Sequence, residues 1–189
     1  FTTCIFATEK YATVVKERGH EVVTYKSLSA EMIIKMGQEG DSSWVSVKTL
    51  EPVLERQIQI VNSIKPDYVI NDYSFTGHLA AEYLGIPCIS LINGLFSKNL
   101  AIKKGVPNSH PMAKYSYLIP HFLIQYIQTH IFRNLHKPYY QLRKIFGLSL
   151  NNRNFLDEFQ GNINLVLDTS EFAPQTHLPF NTHFLGPLY

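Results

Sequence analysis

From Lys65 to Leu91 the apolar residues fall into two short β-rich runs with a helical pattern between them. The first run, Asp67 to Asn71 (DYVIN), follows a Lys-Pro stop, and the second, Ile86 to Leu91 (IPCISL), opens on a proline. Between them Ala80, Ala81, Tyr83 and Leu84 recur at helical spacing, and Gly85 closes the run as a C-cap glycine does. Strand, helix and strand in this length of chain predict one βαβ unit, hence two parallel neighbouring strands covered by a helix. Ligands of open α/β sheets bind beyond the carboxyl ends of the strands, which draws attention to Asn71-Asp72-Tyr73 and Asn93-Gly94-Leu95-Phe96.

Ahead of this unit Phe1, Ile5, Thr8, Tyr11, Ala12 and Val15 recur at helical spacing, and Lys16, Glu17 and Arg18 precede a stopping Gly19. This predicts one helix from Phe1 to His20 and a strand from His20 to Tyr25. A competing reading makes Phe1 to Phe6 a strand, which leaves a helix of barely two turns. On the helix reading no strand comes first, so the sheet lacks an element and the numbering is expected to begin inside a longer protein. Met32, Ile33 and Met36 mark a short helix within Leu28 to Gly40, and a loop starts at Gln38. Trp44, Val47, Leu54, Ile58, Val61 and Ile64 form the stripe of a long helix that Pro52 either kinks or starts. Beyond the central unit, Ser97 to Pro111 reads as a loop. Tyr115 to Phe146 reads as helical and aromatic, broken by Pro120 and Pro138, while Asn162 to Leu167 and His183 to Leu185 read as further strands.

Composition narrows the class. A chain of 189 residues, 45% apolar, suffices for one well-buried core and predicts a single domain. Cys4 and Cys88 both lie in apolar runs, which suits reduced thiols in a cytoplasmic protein better than a disulfide framework or a zinc site. No apolar run reaches the ~18 residues of a spanning helix. Net charge is only +2, but from Tyr83 to Leu156 there is no Asp or Glu. That stretch carries Lys98, Lys103, Lys104, Lys114, Arg133, Lys137, Arg143, Lys144 and Arg153, so one face is expected to prefer an anionic partner.

The stretch KPDYVINDYSFTGHLAAEYLGIPCISL, preceded by RGHEVVTY and followed by NINLVLDTSEFAP and LPFNTHFLGPLY, resembles the N-terminal half of UDP-sugar-dependent glycosyltransferases of the GT-B fold. The likeness is strongest to bacterial macrolide and natural-product glycosyltransferases. It spans nearly the whole chain with four blocks in order. The resemblance implies an α/β, Rossmann-like domain over residues 1–189, an open parallel sheet with helices on both faces that binds the acceptor. A second, donor-binding domain and a first strand carrying the catalytic histidine are implied outside this sequence. His20, at the far end of the first helix, does not match that histidine.

Transfer to a hydroxyl needs a base for the acceptor proton, because a neutral alcohol is a poor nucleophile. A histidine serves near neutral pH when a carboxylate fixes its tautomer and steadies the imidazolium. Asp72 matches the family position of that carboxylate, and the resemblance makes it the catalytic candidate. The plain alternative is that Asp72 caps the helix starting near Phe75. Tyr73, Asn93, Gly94 and Phe96 match the acceptor-lined edge, although Asn-Gly is also an ordinary turn dipeptide.

Three readings stay open for the acid-free aromatic segment: apolar faces of packed helices, a pocket for a lipophilic acceptor, or contact with an anionic membrane surface. Nucleic-acid binding finds no matching motif. The remaining histidines show no metal-ligand spacing, and neither G-x-x-x-x-G-K-[ST] nor G-x-G-x-x-G is present. Phosphate binding by the chain's own loops is therefore not expected, and the resemblance implies no cofactor and no required metal, with UDP-sugar as co-substrate held mainly by another domain. A rival reading is a non-catalytic acceptor-binding or membrane-docking subunit that borrows its donor domain from another chain.

Overall fold

The computed structural model describes residues 2–7, 9–25, 30–38, 41–94, 97–101, 120–150 and 154–187. In order these form β1 (Cys4–Ala7), α1 (Glu9–Glu17), β2 (Glu21–Thr24), α2 (Ala30–Gln38), α3 (Val47–Ile64), β3 (Val69–Asp72), α4 (Gly77–Leu84), β4 (Cys88–Ile92), α5 (His121–Ile145), a 3-10 helix (Phe155–Phe159), β5 (Ile163–Val166) and β6 (Thr182–Phe184). Strands β3-β4-β5-β6 make a parallel sheet in that order, and β1 pairs with β2 in a second, two-stranded parallel sheet. The predicted βαβ unit is β3-α4-β4, with Ile70 beside Ile89 and Asp72 beside Leu91.

Residues Phe1 to His20 are not one helix. Cys4–Ala7 is a strand in register with β2, Ile5 opposite Val22 and Phe6 opposite Val23, and the helix that follows is nine residues long. The β-branched and aromatic side chains of this run lose rotamer freedom in a helix and fit a pleated surface. A strand does precede α1, contrary to the helix reading, and among the described residues it is hydrogen-bonded to β2 alone.

In α3, Leu50, Leu54, Gln57 and Val61 repeat at intervals of three and four and are buried, and the helix runs through Pro52. It ends where Lys65 turns into the left-handed region at φ 52, its amide bonded to Val61 O, just before Pro66. Gly85, at φ 68, closes α4 in the same way. Pro138 lies within α5, which continues without a break for 25 residues. The core sits on the helical side of the sheet, where Leu50 and Leu54 meet Leu79 and Ala80 of α4, Tyr139 and Leu142 of α5, and Phe155 and Leu156.

Alternation along the strands separates the two faces of the main sheet. Asn71, Ser90, Asn164 and Val166 are buried towards the helices, and Gly77 at the start of α4 lies against Asn71. The opposite face carries Ile70, Ile89 and Ile163 in one register row, with Ile70 66% and Ile163 41% exposed. Cys88 is buried in the core and Cys4 is half-buried. No helix among the described residues is long and apolar enough to cross a membrane.

Candidate active site at the carboxyl ends of the strands

The parallel register brings the ends of β3, β4 and β5 to one rim, where Asp72-Tyr73, Asn93-Gly94 and Asp168 follow one another across the sheet. Asp72 is the last residue of β3 and is exposed. It is not the helix cap, because the N-cap of α4 is Thr76, four residues further on. The hydroxyl of Thr76 instead donates to Gln57 Oε1 at 2.6 Å, tying α4 to α3.

Tyr73 turns the chain away from β3 with φ 50, an uncommon conformation for a bulky residue that costs about 1–2 kcal/mol. Contacts of its hydroxyl and of its ring hold it there. Its hydroxyl accepts the Asn93 amide at 3.3 Å, and its ring lies 6.0 Å from that of Phe159. Burial pushes the Tyr73 phenol up to about 12; the Asn93 amide opposes this, and the carboxylates of Asp168 and Asp72 add to it. The phenol is therefore a neutral hydroxyl at physiological pH, flanked by two carboxylates.

Gly94 allows a close approach, and what approaches is the chain itself. Its amide donates to Asp168 Oδ2 at 2.6 Å, and a Cβ here would stand 2.5 Å from Ala173 Cβ and 3.2 Å from Asp168 Oδ2. The side-chain amide of Gln175 donates to Ala173 O at 2.7 Å and to Gly94 O at 3.4 Å, fastening the segment after β5 across the end of β4. Asp72, Tyr73, Asn93 and Gly94 thus share one rim, while Phe96 lies outside the described residues. Asp168 is the rim residue that the sequence reading leaves unnamed, although the carboxyl-end rule applied to β5 points to it.

A second polar cluster lies between the helices. Arg143, 1% exposed, donates Nε to both oxygens of Glu158 at 3.0 Å and Nη2 to Glu158 Oε2 at 2.9 Å. Its Nη1 and Nη2 also reach Glu82 at 2.9 and 3.0 Å, and Nη1 reaches Ser149 O at 2.9 Å. The imidazoles of His78 and His136 stand 3.2 and 2.9 Å from the same fully buried Glu158 carboxylate. Burial alone would raise Glu158, but the hydrogen bonds and charges of His78 and Arg143 outweigh it and hold the carboxyl at about 2. Burial likewise lowers the Arg143 guanidinium, and Glu158 and Glu82 overcome it to leave the pKa raised. Arg143 therefore belongs to the interior, not to the basic surface its sequence neighbours suggest.

Beside this cluster a cleft of about 370 Å³ opens between His78, Glu82, Gly85–Cys88 and Gln160–Asn162. The last two segments precede β4 and β5, so it opens towards the opposite end of those strands from Asp72. No group of three or more His, Cys, Asp or Glu able to hold a metal occurs among the described residues.

No protein-family model matches the chain. A PGL/p-HBAD biosynthesis glycosyltransferase of Mycobacterium tuberculosis is 27% identical over 162 residues, which is 85% of this chain and 37% of that protein. A Mycobacterium bovis relative named as an inactive PGL/p-HBAD biosynthesis glycosyltransferase is also 27% identical over 162 residues, 85% of this chain and 43% of its own length. A PGL/p-HBAD biosynthesis rhamnosyltransferase of M. bovis is 25% identical over 144 residues, 76% of this chain and 32% of that protein. The chain therefore spans less than half the length of these relatives. Among solved structures, the calicheamicin glycosyltransferase aligns over 100% of this chain and 44% of its own with TM-score 0.57 and 18% identity. The kitacinnamycin glycotransferase does so over 100% and 44% with TM-score 0.53 and 18% identity. The fold is that of the N-terminal half of a GT-B glycosyltransferase.

Proposed function

We propose that this domain is the acceptor-binding half of an inverting glycosyltransferase that moves a sugar from a UDP-sugar to a hydroxyl of a lipophilic acceptor. The observation that carries the reading is Asp72, an exposed carboxylate on the rim where three parallel strands end, with no capping role at α4. The names of the mycobacterial relatives support glycosyl transfer as the reaction class.

In this reaction the acceptor oxygen forms a bond to the anomeric carbon while the bond from that carbon to the UDP oxygen breaks. UDP leaves with the electron pair, and the acceptor proton passes to a general base, the role Asp72 takes on this rim, since the sequence that follows β1, Thr8-Glu9, carries no histidine. The reaction needs neither metal nor cofactor in this half, and the nucleotide belongs to a donor-binding half, in keeping with the lack of a phosphate-loop motif here. Tyr73, Asn93 and Gly94 form the wall beside Asp72, their backbone positions fixed by the Tyr73 hydroxyl and by Asp168. Acceptor contact then comes from side chains and from the neutral Tyr73 hydroxyl, because the Gly94 amide already has a partner.

Release of UDP, measured with UDP-hexoses and hydroxylated lipophilic acceptors in the presence of a donor-binding half, tests this. Asp72→Asn should lower kcat by roughly 10²–10⁴ with little change in thermal stability. Unchanged turnover would return Asp72 to the ordinary surface. A second reading, an acceptor-binding module without its own catalysis, is favoured by the M. bovis relative whose name calls it inactive. Acceptor binding without UDP release from any donor would establish it.

A further inference from the structure

The helix α5 has two unlike sides. Phe132, Leu135, Tyr139 and Leu142 turn inward to the core. On the outward side Phe122 and Tyr126 are 71% and 70% exposed, and Leu123, Ile127 and Ile131 between 41% and 48%. Their spacing of four places them in two adjacent rows on one face. Core packing accounts for the inward side only.

The outward side changes character along the axis. After Ile131 it presents Arg133, Lys137 and Lys144, all exposed, with the Lys144 ammonium 4.8 Å from the Tyr140 ring centre. Helix α5 has no Asp or Glu, and none occurs from Tyr83 to Leu156. A helix whose free face is apolar at one end and carries charge of positive sign alone at the other suits an interface that supplies hydrocarbon and negative charge together. It is not apolar enough to span a bilayer.

We propose that the outward face of α5 docks on an anionic lipid surface. Phe122, Leu123, Tyr126 and Ile127 enter the boundary between headgroups and acyl chains, and Arg133, Lys137 and Lys144 meet the headgroups. The proposal goes beyond the transfer reaction and does not depend on it, since docking is read without a sugar donor.

Co-sedimentation of the protein with phosphatidylcholine vesicles, with and without phosphatidylglycerol, at low and high salt, tests it. Binding is expected only to the anionic vesicles and to fall steeply with salt. Each of Arg133→Gln, Lys137→Gln and Lys144→Gln should weaken it about five-fold, and the three together about a hundred-fold. Phe122→Ser with Tyr126→Ser should weaken it at least about ten-fold while the circular dichroism spectrum stays unchanged, because both side chains are largely exposed. Failure to bind anionic vesicles at low salt overturns the proposal, as does binding that both sets of variants leave intact. So does a vesicle-free dimer that Phe122→Ser dissolves, since a second copy would then be what covers the face.

Discussion

Replacing Arg143 by Leu removes a guanidinium that meets Glu158 and Glu82 together. The Glu158 carboxylate is 0% exposed and Arg143 is 1% exposed, so neither loss is made good by solvent, whereas Glu82 keeps 29% side-chain exposure and can turn to water. Breaking a buried pair from one side typically costs about 3–5 kcal/mol, because the remaining charge stays desolvated. For a domain of this size that lowers the melting temperature by roughly 6–20 °C. The pH dependence follows the same carboxyl. Glu158 is held at about 2 against an ordinary 4.5, so its contribution is complete above 4.5 and disappears as the pH falls towards 2. That shift corresponds to roughly 3 kcal/mol. Without Arg143, His78 alone of the two opposes burial, so the carboxyl rises from about 2 and the acid loss of stability begins at higher pH. Urea unfolding followed by circular dichroism between pH 3 and pH 8 measures both effects. Arg143→Leu with Glu158→Leu should lose less than Arg143→Leu alone, because no buried charge is left behind. A single-variant loss below about 1 kcal/mol, or an unmoved acid limb, would refute the reasoning.

Other consequences can be measured separately. Gly94→Val should destabilise by about 1–3 kcal/mol, since its Cβ would stand 2.5 Å from Ala173 Cβ, and an unaltered urea midpoint would show that the segment after β5 yields freely. The Tyr139 hydroxyl is buried with no hydrogen-bond partner among the described residues, so Tyr139→Phe should be neutral or stabilising by up to about 1–2 kcal/mol in the same assay. Ultraviolet titration should find Tyr73 ionising near 12, and because its folded pKa lies above the ordinary 10, its share of stability holds below 10 and declines above it. Tyr73→Phe should abolish that late-titrating phenol, and a titration curve identical to that of the parent protein would contradict the assignment.

The β3-α4-β4 unit was legible because its signals are local: two β-rich runs, a short helical period and a glycine stop, which the structure answers with Gly85 at φ 68. The rim followed from the same unit, since parallel strands bring their carboxyl ends together. Cys4–Ala7 was misread because its strand character depends on pairing with Val22 and Val23, a partnership that a periodicity window cannot register. Arg143 was misread by residue type. Its spacing from Phe132, His136 and Tyr139, at steps of four and three, placed it on the inward stripe, and that period was the better guide. Its partner Glu158 sits in a five-residue 3-10 helix too short to show a period, although Asn154 and Asp157 carry the spacing of the capping box that starts it. Asp168 lies within reach of the carboxyl-end rule applied to β5, but its bond to the Gly94 amide 74 positions away has no local signal.

The near contact between Gly94 and Ala173 implies a rule of inheritance. The two positions share one fixed allotment of volume, so a lineage that gains a methyl at 94 must surrender one at 173 or let the loop swing outward. Across descendants of this sequence the two sites should therefore vary as a linked pair, and a chain bearing bulk at both would advertise a differently shaped mouth.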